Sequence, residues 1–312
     1  MTTPIKVAWF VVVLAAGLGV GFGIGSVFGE GRTVAEGSHA AKEVNPGRSA
    51  SFEASGLPGG LMISRGGYTL AMARSTAPSG DDVPVTFTIT GPDGDPLTAY
   101  DVEHDKRLHL IAVRRDFTGF QHVHPVLSSD GTWATELDLT AGQWRVFADF
   151  KARDAKALTL GADLAVAGSY RPETGVGEMR AAHLGDYTVT LDGKLVAGAD
   201  TELTLRVERD GQPVTDLQPY LGAYGHLVAL RSGDLAYLHV HPDGTPADSR
   251  TQPGPNVVFH AAVPSVGTYQ IFFDFKHRGV VRTAAFAAST SRTASAPVPE
   301  SSGDSDNGHH HH

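Results

Sequence analysis

The chain has 312 residues, a formal net charge of −9 at pH 7 and no cysteine. The acidic balance argues against nucleic acid as a partner, because neutralising a phosphate backbone needs a basic surface. The missing cysteine excludes disulfides, thiolate metal sites, a lipid-modified cysteine anchor and cysteine nucleophiles.

The first expected element is a transmembrane helix. Residues Val7 to Phe28 carry no charged side chain, about the twenty residues that an α-helix needs to cross a bilayer. Lys6 precedes the run and Glu30 follows it. A cation on the short N-terminal side favours a cytoplasmic N-terminus, so residues 1–28 read as a tail and signal anchor. This predicts a single-pass protein of the cell membrane that touches the bilayer through residues 7–28, with its C-terminal domains extracytoplasmic. A cleaved signal peptide is the rival reading, but its apolar region is shorter, roughly seven to fifteen residues. Gly17, Gly21 and Gly25 are spaced four apart, which lets two membrane helices approach closely, so a homo-oligomer through this Gly-rich helix is a further expectation.

Residues 29–59, rich in Gly, Ser, Ala and charge, read as a flexible spacer. Short apolar runs such as VPVTFTIT, LHLIAV and QWRVFADF follow, separated by GPDG and TAG turns. Alternation with β-branched and aromatic residues predicts strands of a sandwich or barrel. The architecture expected is all-β, two tandem Ig- or cupredoxin-like sandwiches at 60–170 and 185–290, joined by a linker at 171–184. Residues 291–312 read as a disordered tail, and its last four histidines are either a native metal-catching tract or a tag remnant.

The two sandwiches are an internal repeat. His109-Leu-Ile-Ala-Val-Arg runs on to His122-Val-His124-Pro125, and His226-Leu-Val-Ala-Leu-Arg runs on to His239-Val-His241-Pro242. Both follow H-x12-H-x-H-P. Downstream, GQWRVFADFK at 142–151 is echoed by GTYQIFFDFK at 267–276.

The stretches DVEHDKRLHLIAVRRDFTGFQHVHP and YLGAYGHLVALRSGDLAYLHVHP resemble a family of actinobacterial secreted or membrane proteins of uncharacterised function, grouped with heavy-metal-associated proteins. The module is more distantly similar to YtkA-like and CopC-like Ig or cupredoxin-type domains. The resemblance spans about residues 60–290. It implies the sandwich fold, and it implies handling of copper or another metal.

Residues two apart in a strand face the same side, so His122 projects with His124 and His239 with His241, while Val123 and Val240 turn to the core. His109 and His226 stand thirteen residues upstream, where a hairpin brings them near each pair. Asp149 and Asp274 sit in aromatic strands, facing away from Trp144 and Tyr269, as a ligand, a partner orienting an imidazole, or a turn anchor. His104 adds an imidazole in the first repeat, and Leu221 takes its place in the second. His260 and His277 belong to the second repeat alone. The candidate metal residues are thus His104, His109, His122, His124 and Asp149, then His226, His239, His241 and Asp274. Imidazole and carboxylate ligands suit Cu2+ or Zn2+, while a blue-copper centre is ruled out for want of a thiolate.

Two readings are open. One is a membrane-anchored metal-binding or relay protein, copper before zinc, serving a metal transporter or another cell-envelope protein, with two sites or one shared site. The other is a metal-free Ig-like interaction module whose histidines are structural. No G-x-S-x-G, H-E-x-x-H or P-loop occurs in the chain, so neither an enzyme nor an organic cofactor is expected.

Overall fold

Each short apolar run becomes a strand. The structure, a computed structural model, describes residues 57–173, 177–248 and 250–291, with the side chains of His239 and Ala247 excepted. The expected membrane helix, nearly all of the spacer and the tail beyond Ser291 lie outside the described residues. Among the described residues no helix is long and apolar enough to cross a membrane. Those residues lie in the compact unit Ala54–His312.

The first module holds β1 (Ser64–Arg65), β2 (Tyr68–Met72), β3 (Thr76–Ala77), β4 (Gly80–Thr90), β5 (Leu108–Arg114), β6 (Gln121–Val123), β7 (Val126–Leu127), β8 (Thr132–Leu139), β9 (Gly142–Lys151) and β10 (Ala157–Val166). They form two five-stranded sheets, β1-β2-β4-β8-β7 and β3-β10-β9-β5-β6. Alternate residues of both close on one core around Phe87, Trp133, Trp144 and Leu160, where the Trp133 indole donates to the Tyr100 hydroxyl at 3.0 Å. Met72 packs against this core as an apolar side chain.

The second module holds β11 (Ala181–Leu184), β12 (Tyr187–Gly193), β13 (Ala199–Arg209), β14 (Gln212–Pro213), β15 (His226–Arg231), β16 (Tyr237–Pro242), β17 (Asn256–Val263), β18 (Thr268–His277) and β19 (Val280–Ser289). Here β16 pairs with both β15 and β17, so one sheet wraps around its own core in the order β11-β12-β13-β17-β16-β15-β18-β19, with β14 paired to β13. Two expected boundaries shift. The last four residues of the expected linker are β11, because Ala182 alternates into the second core and Ala181–Leu184 pair with β12. The spacer ends earlier than expected, because Gly59 bridges Tyr237 and the Gly60 amide donates to Thr159 O at 2.9 Å. Glycine is required there: Gly60 has φ +73°, and a Cβ would stand 2.5 Å from the Phe147 ring.

The two modules pack face to face. In β5 six successive residues, Leu108 to Val113, are buried, the mark of a strand covered on both sides. Leu108, Leu110 and Ala112 fill the first core. Ile111 and Val113 turn outward and join Phe147, Val228, Leu230, Tyr237 and Phe272 in a third apolar cluster between the modules. Its pairings are reciprocal. Phe120 stacks on Phe272 at 4.0 Å, and the repeat-equivalent pair, Tyr237 and Phe147, meet at 5.7 Å. Residue i meeting j′ while j meets i′ is the signature of a two-fold interface, here formed within one chain by its two repeats.

Candidate metal centre

The histidines lie on this same outward face, at one end of the apolar contact. Strand alternation puts His109 beside Ile111 in β5, opposite Asp149 of β9, and puts His226 opposite Asp274 of β18. His122 is paired with Ile111 from β6. His124 follows where the chain leaves β6 and crosses to β7 of the other sheet. Val123 and Val240 pack against their own module cores, as alternation requires.

The two-fold contact brings the equivalent rings together. His109 stacks on His226 with centroids 5.4 Å apart and planes 10° from parallel. His122 lies 4.5 Å from His226, and His124 lies 5.0 Å from His109 and 4.9 Å from His122. His104 joins at 6.0 Å from His109 and 5.9 Å from His226. It sits in a tight turn closed by reciprocal backbone hydrogen bonds between Glu103 and Lys106, with φ +47° at His104 and +63° at Asp105. Positive φ at both central residues defines a type I′ turn, and Leu221 and Gly222 repeat it in the second module.

Residues of the two modules are therefore grouped together. Ligand atoms of His109, His122 and His124 lie within 4.8 Å of one another, and so do those of His122, His226 and Asp274. The second module lends His226 and Asp274 to the first module's triad, because the two-fold contact crosses the partners. Asp149 stands apart from that triad, accepting from the Thr159 hydroxyl at 2.8 Å. It lines a cleft of about 50 Å3 together with His104, His109, His226 and His241. The side chain of His239 is outside the described residues; its backbone pairs with Ala262. His277 joins no ligand group among the described residues, as its ring nitrogens meet the Tyr187 hydroxyl at 2.8 Å and Asp216 Oδ1 at 3.0 Å.

Proton accounting shows what the cluster lacks. His109 Nε2 lies 3.1 Å from the Glu103 carbonyl oxygen. A carbonyl only accepts, so Nε2 carries the proton and Nδ1 of the neutral ring is a lone pair. His122 Nδ1 lies 2.8 Å from Asp274 Oδ2, and Asp274 Oδ1 accepts from the Thr283 hydroxyl at 2.5 Å. An ionised carboxylate also only accepts, so His122 Nε2 is likewise a lone pair when that ring is neutral. Yet His109 Nδ1 and His122 Nε2 face each other at 3.0 Å. Two further nitrogens, His124 Nε2 and His226 Nδ1, are buried without a hydrogen-bond partner. Leaving a buried polar atom unsatisfied costs about 1–3 kcal/mol. Two lone pairs thus face each other, and two more buried imidazole nitrogens beside them have no partner. Around a tetrahedral Zn2+ with bonds of about 2.0–2.1 Å, neighbouring nitrogens stand roughly 3.3 Å apart, close to the His109–His122 separation. Glu103 O and Asp274 hold the far sides of their rings as outer partners of metal-bound histidines do.

Burial disfavours the charged form of four of the rings. It lowers His109 to about 3, with His122 as the next cause, and His124 to about 4. It also drives His226 well below the ordinary imidazole value and lowers His104. Burial raises the Asp149 carboxyl to about 6, against the opposing Thr159 hydrogen bond. Free imidazoles titrate near about 6.5, so below that pH the unfolded chain binds more protons than the folded one, and stability falls with acid until the folded values are passed. Asp149 works the other way, because its folded form holds a proton up to about pH 6. The four lowered imidazoles outnumber it. Metal-free protein is thus expected to melt lower at pH 5 than at pH 7.5, with the loss continuing toward about pH 3–4. A melting temperature that is flat over that range would contradict neutral buried rings.

Both modules match one protein family, described as Domain of unknown function (DUF8832), over residues 63–168 and 182–292. Comparison with curated proteins gives no match. Solved structures similar to this chain include the Escherichia coli adhesin FdeC, at 14% identity over 72% of this chain and 65% of that one, with a TM-score of 0.24. Salmonella alpha-2-macroglobulin reacted with methylamine follows at 14% identity over 76% and 15%, TM-score 0.25. The Yersinia pseudotuberculosis adhesin InvE follows at 11% over 71% and 58%, TM-score 0.21. The chain spans less than two thirds of each of these structures.

Proposed function

The chain belongs to the DUF8832 family, whose description names no activity, and we propose from its own site that it is a membrane-anchored, extracytoplasmic metal-binding protein. It holds one divalent ion between its two modules, Cu2+ in preference to Zn2+. The observation that carries this reading is that His109 Nδ1 and His122 Nε2 face each other at 3.0 Å, while His124 Nε2 and His226 Nδ1 are buried and unpartnered on neighbouring rings. His109, His122, His124 and His226 are the ligands, with Glu103 O and Asp274 orienting His109 and His122. An all-imidazole site favours Cu2+ over Zn2+ by intrinsic affinity. The anchor at residues 7–28 keeps the ion beside the membrane, where a transporter or another envelope protein exchanges it.

One observation favours the metal-free scaffold instead. The chain Glu103 O–His109–His122–Asp274–Thr283 closes completely if His122 carries a second proton and donates it to His109 Nδ1. That proton leaves His124 Nε2 and His226 Nδ1 unsatisfied, which is why the metal reading is preferred.

The test is calorimetric titration of the full chain in detergent, stripped with chelator, with His309 to His312 replaced by alanine. A tight Cu2+ event at one ion per chain is expected, with Zn2+ weaker at the same site. Absence of saturable binding by either ion would leave the scaffold reading.

A further inference from the structure

The buried cluster poses a question of access. His109 is 3% exposed, and the side chains of His122 and Asp274 are 2% and 3% exposed, so an ion reaches them only through an opening lined by the protein. The cleft that contains His109 and His226 also contains His104 and His241, and His241 is exposed at the surface.

His241 does not stand alone there. On β16, Leu238 and Val240 pack against the second core, which turns His241 outward. On β17, Phe259 and Ala261 point into that core, so His260 also faces outward. The register sets His241 directly opposite His260, and His260 directly opposite Glu202 of β13. Side chains directly opposite on antiparallel strands have Cβ atoms about 4.5–5.5 Å apart. Two imidazoles and a carboxylate thus form one row across the outer face of the sheet, with His241 and Glu202 exposed and His260 half-buried between them.

We propose that His241 and His260, backed by Glu202, form a second, solvent-facing metal site that captures the ion and passes it through the cleft, by way of His104, to the buried histidines. This rests on the metal-binding reading above and names how the site is filled. Transfer is ligand exchange: a nitrogen lone pair of the next imidazole replaces that of the last, and the ion keeps its charge throughout. The placement of His104 at a left-handed turn position, with its ring about equally distant from His109 and His226, suits an intermediate ligand. Three cations, Lys106, Arg107 and Lys151, line the cleft as well, and Glu103 pairs with Lys151 at 3.1 Å, which reduces the repulsion on an entering ion.

The test combines equilibrium titration with stopped-flow filling, using Cu2+ alone as the probe and the full chain with its terminal histidines replaced. Wild type should bind two ions, one weak and fast, one tight and slow. His260→Ala should lose the weak ion and slow filling of the tight site severalfold. His241→Ala should do the same, a safeguard should either variant fold poorly. Wild-type stoichiometry and rate in both variants would overturn the capture site and leave the buried site standing. Loss of the tight ion in His260→Ala would overturn it too, by making His260 part of the buried site. No Cu2+ binding in wild type would overturn both readings.

Discussion

Cu2+ at a hundredfold excess over its dissociation constant is expected to raise the melting temperature of the wild-type chain, terminal histidines replaced, by roughly 5–11 °C, and to leave His122→Ala/His124→Ala unmoved. An ion that binds the native state alone at that excess contributes about 2.7 kcal/mol, and 1 kcal/mol shifts a domain of this size by roughly 2–4 °C. An ion held by the proposed ligands would discriminate strongly between folded and unfolded states, because His109, His122 and His124 come from one module and His226 from the other. Asp274→Asn separates orientation from ligation. It keeps the shape but replaces the acceptor that fixes His122 Nδ1–H, and losing such an outer partner typically costs 10- to 100-fold in metal affinity. A full thermal shift in the double variant would place the ion elsewhere and remove the histidine cluster from the function.

Phe272→Ala is expected to cost roughly 3–5 kcal/mol of stability and to weaken Cu2+ binding, although no ligand is touched. Phe272 is 5% exposed, stacks on Phe120 and sits in the apolar cluster that joins the modules. It lies two residues from Asp274 on β18, on the same outward face. Truncating it opens a cavity in the contact that holds His226 and Asp274 against the first module's triad. Urea unfolding and calorimetry on the same variant read both effects. Lost stability with unchanged affinity would show that the ligands meet without this contact. Unchanged stability would show that the modules are not packed this way in solution.

Much of this was legible in the residues. Strand alternation alone determined that His122 and His124 share a face, that Val123 and Val240 turn to their cores, and that Asp149 and Asp274 face away from Trp144 and Tyr269. The repeat in H-x12-H-x-H-P placed His226 opposite Asp274 as it placed His109 opposite Asp149, because pairing on neighbouring strands follows the two-residue period of an extended backbone. One further signal lay in the chain: the unbroken apolar run after His109, where an exposed sheet face would alternate, means a strand covered on both sides. What covers it is a non-local choice. Only the tertiary structure decided that the outer faces of the two modules pack on each other about a two-fold axis. That packing stacks His109 on His226 and pairs His122 with Asp274, which favours the shared arrangement over two separate ones. No spacing within a repeat could reveal this, because the contact is set by the complementarity of Phe120, Phe147, Tyr237 and Phe272 across the interface, and shape complementarity belongs to folded surfaces rather than to sequence.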